Sequence, residues 1–213
     1  MKKMIFNIPI PSIFVCFLIF ILWMHYEKRK TDKKQTQQSQ EFWQREEEAN
    51  HTRNKDFSDL PMFVPERDSI PMPETTDENA RYYQNKVLEC LELPMMNLSQ
   101  YTNTDLKLAY GVGNFKTLSN YDDNFNKLLM NLSNLGNAYS HIGMHDEAAS
   151  VFRYCLDAGS EKATDYKDLA AAYAAMGSYS RIDDLIAEAE RSELPRKSNL
   201  TAHLRDIRNA GSS

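Results

Sequence analysis

The chain has little of what most enzymes are built from. Its three cysteines, Cys16, Cys90 and Cys155, give no even disulfide framework and no ligand spacing for a metal, and free thiols suit a reducing compartment. Seven glycines in 213 residues leave no phosphate-cradling loop. The nearest approach, Gly111-Val112-Gly113-Asn114, follows no strand and precedes no Lys-Ser or Lys-Thr pair, so it reads as a turn between helices. No nucleophile motif is present, nor any strand-rich segment on which an α/β active site is built, so the chain is expected not to be an enzyme and to need no cofactor or metal.

Charge is missing from one place in particular. Residues 4–24 hold no charged side chain, and Ile13 to Met24 is unbroken apolar sequence. That length is what a bilayer crossing requires, with Pro9 and Pro11 near its start and Trp23 and Tyr26 at its end. A cleaved signal peptide is the rival, but Trp23-Met24-His25-Tyr26 offers no pair of small residues for cleavage. The reading is a transmembrane anchor over 1–26, followed by a charged stalk over 27–50. Residues 1–34 carry seven Lys or Arg against two acids, a net +5, which leaves −10 for the rest of a chain of net charge −5. A body so acidic argues against nucleic-acid binding. The cations after residue 27 outnumber those before residue 4, placing the C-terminal body in the cytoplasm of a single-pass protein of the cell membrane. The same cations attract anionic headgroups or serve only as the topology signal.

Proline is scarce except in one tract. Pro61, Pro65, Pro71 and Pro73 forbid regular helix over 51–76, yet Leu60, Met62, Phe63, Val64, Ile70 and Met72 make this linker more apolar than a solvated one needs to be. It either packs on the helical body or serves as a short motif for a partner. Beyond it, Thr75-x-x-Glu78 reads as a capping box opening a helix to about Leu93, and a second helix is expected near Thr104–Val112. From about Ser119 one apolar face continues unbroken through Tyr139, and Ser198 is expected to cap a last amphipathic helix to about Asn209.

What the chain does possess is an internal repeat. Leu132-x-x-Leu135-Gly136-x-x-Tyr139, Ala148-x-x-x-Phe152, Cys155 and Ser160 recur at a fixed offset as Tyr166-x-x-Leu169-Ala170-x-x-Tyr173, Ile182-x-x-x-Ile186, Ala189 and Pro195. Gly136 and Ala170 are small where a partner helix must approach, and Gly143 and Gly177 stand where a first helix must stop. These two stretches, 129–162 and 163–196, resemble the tetratricopeptide repeat, with Leu132 and Tyr166 in place of its Trp, Ile182 in place of its Ala, Ser160 in place of its Pro, and Pro195 one position late. An unrelated pair of helical hairpins is the plainer alternative. The alignment puts Gly143 in a turn, so His141 and His145 do not share a helical face and the run His141 to Glu147 loses its likeness to a metal site.

The resemblance implies an all-α, helix-turn-helix solenoid over 77–213, with a C-terminal capping helix, behind the single anchor. It also implies a concave groove for a protein or peptide, lined by Met130, Ser133, Asn134, Asn137, Ser140 and His141 from the first unit and by Thr164, Lys167, Asp168, Ala171, Ala174 and Ala175 from the second. Asn137 matches the asparagine with which chaperone-binding members hold a peptide carboxylate. The cations of that clamp are missing, and Asp168 would repel a carboxylate. The function so implied is that of a bacterial-type, membrane-tethered adaptor or scaffold, against the alternatives of a structural protein whose copies associate or an enzyme with an unrecognised site.

Overall fold

The computed structural model describes residues 10–211, and the side chains from Phe14 onward except those of Cys16 and Lys34. Among the described residues the protein is all-helical, with eight α-helices and no strand: α1 (Ile10–His51), α2 (Glu78–Leu91), α3 (Asn103–Tyr110), α4 (Val112–His141), α5 (His145–Asp157), α6 (Ala163–Ala175), α7 (Tyr179–Arg191) and α8 (Lys197–Ala210). The chain divides into two compact units, one of residues up to 55 with 103–113, the other of 56–102 with 114 onward.

In the first unit, α1 is one helix of 42 residues. No Gly or Pro interrupts it after Pro11, which allows the apolar and the polar halves to share one hydrogen-bonded rod. No described helix is long and apolar enough to cross a membrane. The expected span draws residues 4–9 from outside the described part. The apolar run that remains, Ile10 to Met24, rises about 22 Å, short of the roughly 30 Å of a hydrocarbon core. The last turns of α1 pack on α3. Arg45 pairs with Asp105 at 3.0 Å, Glu46 accepts from Thr104 and from Lys107 at 3.2 Å, and Ala49 is fully buried. Past α1, Asn54 Oδ1 accepts from the Gly113 amide at 2.8 Å. Gly111, at φ 87°, lies so close to the Asn54 backbone that a Cβ there would meet it at 2.6 Å, so this turn demands glycine for two reasons.

The second unit contains the periodic part. The offset that carries Leu135 onto Leu169 also carries the end of α4, His141, onto the end of α6, Ala175, and both ends of α5 onto those of α7. The same turn chemistry closes both first helices: the Met144 amide donates to Tyr139 O and that of Gly143 to Ser140 O, then Ser178 to Tyr173 O and Gly177 to Ala174 O. Gly143 and Gly177 take φ of 80° and 68°, as a glycine-closed helix end requires. The core between the pairs holds Leu132, Leu135, Tyr139, Ala148, Phe152, Leu169, Ala170, Ile182 and Leu185, each at most 2% exposed, with Tyr166 and Tyr173 buried behind them. Ile186 is only partly buried, at the margin of that core.

Three boundaries differ from the sequence reading. α2 is capped not by Thr75 but by Asp77, whose Oδ1 accepts from the Ala80 amide at 2.7 Å, while Thr75 Oγ1 accepts from the Asp77 amide. α4 starts at Val112 rather than near Ser119, because Gly111 alone breaks the helical run after α3. α8 has no Ser198 cap: it starts at Lys197, after Arg196 in a left-handed conformation at φ 58°.

The proline tract is a strap laid on the helical body. The Phe63 ring meets Phe125 of α4 edge-on at 5.0 Å, and its amide donates to Met95 O at 2.9 Å. Leu60 and Ile70 are buried, and Met72 packs against the core. Irregular residues 94–98 lie on α4 as well, through Met96 N to Tyr121 O, Leu98 N to Asp122 Oδ1 and Asn124 Nδ2 to Pro94 O. α8 closes the opposite end on α6 and α7, burying Leu200 and Leu204.

Candidate functional site

Successive first helices, α4 and α6, are bridged by side chains at two levels. At one level the Asn137 amide hydrogen-bonds the Asp168 carboxylate. Both are half-buried, and loss of water around Asp168 raises its pKa, a rise which the Asn137 bond opposes and which the nearby Asp165 reinforces. One turn deeper, Asp165 is fully buried: Ser133 Oγ donates to its Oδ1 at 2.8 Å and Ser160 Oγ to its Oδ2 at 2.5 Å. Its place in the first turn of α6 adds the favourable end of the helix dipole. Cys155 lies against this cluster, and burial, with the Asp165 charge second, pushes its thiol up to about 12.

Around this polar seam the expected groove residues separate by exposure. Met130 is 50% exposed, and His141, Thr164, Ala171 and Ala175 are open to solvent. Asn134, Ser140, Lys167 and Ala174 are half-buried, and Ser133 is turned to Asp165. On this side α6 presents Thr164, Ala171, Ala174 and Ala175 around the half-buried Lys167 and Asp168. Asn137 is occupied by Asp168 in the structure, and so it does not stand ready to hold a carboxylate. His141 and His145 fall either side of the Gly143 turn, and no group of three metal-ligating side chains occurs among the described residues.

The second helices carry a different contact. Arg153 of α5 donates through both terminal nitrogens to Glu188 of α7 at 2.7 and 2.9 Å, and also reaches Asp157. The bond from Glu188 raises the guanidinium pKa further, against partial burial. This fork ties one helix pair to the next on the side away from the polar seam.

Sequence reasoning missed the anchors of the strap. Tyr139, a repeat-signature residue, donates its hydroxyl to Pro71 O at 3.0 Å and accepts from Gln84 Nε2, which also donates to Pro73 O at 2.8 Å. Tyr154 accepts from the Glu66 amide at 3.0 Å. The signal was that a buried tyrosine hydroxyl seeks a partner, though nothing in the spacing names it. A half-open cavity of about 270 Å³ remains between strap and α5, lined by Phe63, Val64, Glu66, Ser69, Tyr154, Asp157 and Ala158. Asp165 was missed too: its only sequence sign is an acid near the start of the second repeat, while its partner Ser133 reads as a groove residue.

No protein-family model matches the chain, and comparison with curated proteins and with solved structures returned no match.

Proposed function

We propose that the protein is a membrane-tethered adaptor whose two tetratricopeptide-like helix pairs hold a protein or peptide partner on the α4–α6 face. The observation that carries this reading is the Asn137–Asp168 bridge set in an otherwise uncovered face of exposed or half-exposed small and polar residues. The strap and α2 pack toward Tyr139 and Tyr154, and α8 packs on α6 and α7, so the remaining face of α4 is left open. Its chemistry favours a segment that donates hydrogen bonds, through an amide or a cationic side chain, and disfavours a terminal carboxylate. The tether is α1, where exposed Phe17, Leu18, Ile19, Phe20 and Leu22 continue the uncharged sequence that begins before the described residues. Positive flanking residues direct the body to the cytoplasm.

A photo-crosslinking residue placed at Ala171 or Met130 in the intact protein tests this, with the same residue at exposed Ser150 of α5 as the control. The expected outcome is a discrete crosslinked partner from the first two positions, weakened by Asp168→Lys. Equal crosslinking from Ser150, or none from Ala171 and Met130 in native membranes, rejects the groove.

A further inference from the structure

We propose that one face of α1, formed by Trp23, Tyr26, Arg29, Lys30 and Lys33, binds the phosphate headgroups of anionic phospholipids; this rests on the membrane-tether reading and adds a lipid preference to it. At about 100° per residue, these five side chains fall within roughly 120° of the helix circumference, aromatic residues first and cations one turn later. Trp23 and Tyr26 are 59% and 67% exposed, the three cations are exposed, and Tyr26, Arg29, Lys30 and Lys33 line a shallow hollow. The two neighbouring acids, Glu27 and Asp32, lie outside the arc, about 100° and 120° from Tyr26 on its two sides. Among the described residues no ion pair joins them to these cations.

A topology signal counts cations and is indifferent to their angle around the helix. A binding face is not indifferent to it. Here three cations converge on one side, unneutralised, with Lys28 about 160° away from Tyr26. The aromatic rings seat at the level where chain meets headgroup, which sets Arg29, Lys30 and Lys33 at phosphate depth over about 6 Å of helix. A long nucleic acid would be repelled by the net charge of −10 carried beyond residue 34, and it offers no apolar layer for the two rings, so the lipid is the favoured polyanion.

The test uses the full chain in phosphatidylcholine bilayers with spin-labelled phosphatidylglycerol or spin-labelled phosphatidylcholine as the probe. Immobilised phosphatidylglycerol should exceed phosphatidylcholine by at least about fivefold, the worth of one cation near the surface. High salt and the triple variant Arg29→Gln, Lys30→Gln, Lys33→Gln should abolish the excess, and Lys28→Gln should keep it. Equal immobilisation of the two lipids, a preference that survives the triple variant, or an equal loss in Lys28→Gln overturns the lipid face while leaving the tether standing. Immobilisation of neither lipid, with the protein released by alkaline washing, overturns the tether and this face with it. Displacement of the labelled lipid by a short DNA duplex overturns the choice of ligand.

Discussion

At Gly136 a hydrogen atom faces a ring. A Cβ built there would meet three atoms of Phe152 at 2.7 to 3.0 Å, and the Phe152 side chain is fully buried and has nowhere to retreat. One period later the same two positions hold Ala170 and Ile186, one carbon larger on α6 and without a ring on α7. Small and large sides therefore trade volume between the two pairs. Gly136→Ala is expected to cost about 1–3 kcal/mol, as overpacking does, and Gly136→Ala with Phe152→Ile should recover part of the loss. Thermal melting followed by circular dichroism closes this cycle; strictly additive losses would mean that the two positions do not share one space. Asp168 gives a prediction in pH. Its folded pKa is raised above the ordinary 3.8, so between those values the folded state holds more proton than the unfolded one, and stability falls as pH rises through the window. Asp168→Asn keeps an acceptor for Asn137 and removes the charge. The variant should melt above the parent at neutral pH, and the difference should close as pH drops below about 4.

Among the elements, the strap is the one whose standing the structure changes most. The sequence left open whether Leu60–Pro65 packs or waits for a partner, because alternation of apolar residues with proline describes both. Phe63 is turned inward onto Phe125, while Val64 is 79% exposed beside it. Phe63→Ser should lower the melting temperature by the equivalent of about 1–3 kcal/mol, in line with a partly buried aromatic, and Val64→Ser should leave it nearly unchanged. Equal effects of the two would show the inward ring to be incidental. The helix pairs themselves were legible, since Leu135, Tyr139, Leu169 and Tyr173 set a period and Gly143 and Gly177 punctuate it. The cap of α2 and the start of α4 were not, because competing first-turn acceptors such as Thr75 and Asp77 are equivalent until backbone geometry selects one. The seam was half legible: Asn137 and Asp168 were both singled out, but their bond to each other depends on how far α6 is rotated against α4, which no spacing encodes.

Across the whole periodic region, α8 begins at Lys197, one further period after α6 begins at Ala163. It stands in register with the first helices α4 and α6 of the two pairs before it. Leu200 and Leu204 keep the inward positions, but His203 stands exposed where Leu135 and Leu169 are buried, which gives α8 a polar back. Arg205 and Arg208 fix it to Glu190 and Asp183 of α7. Leu204→Ala should therefore cost about 2–5 kcal/mol, the range for a buried leucine, and calorimetry should show the loss in the single main transition. A separate early transition would mean that α8 melts on its own.

The strap also has a timetable. Glu66 is made 88 residues before Tyr154, its partner, whereas the two helix pairs find most of their contacts among near neighbours in the chain. At common synthesis rates of about 5–20 residues per second, Glu66 waits about 4–18 s for Tyr154 to be made, and Phe63 about 3–12 s for Phe125. The four prolines of this tract keep it from pairing as a strand with other nascent chains during that interval, so the residues that shape its folded path also guard it while it waits.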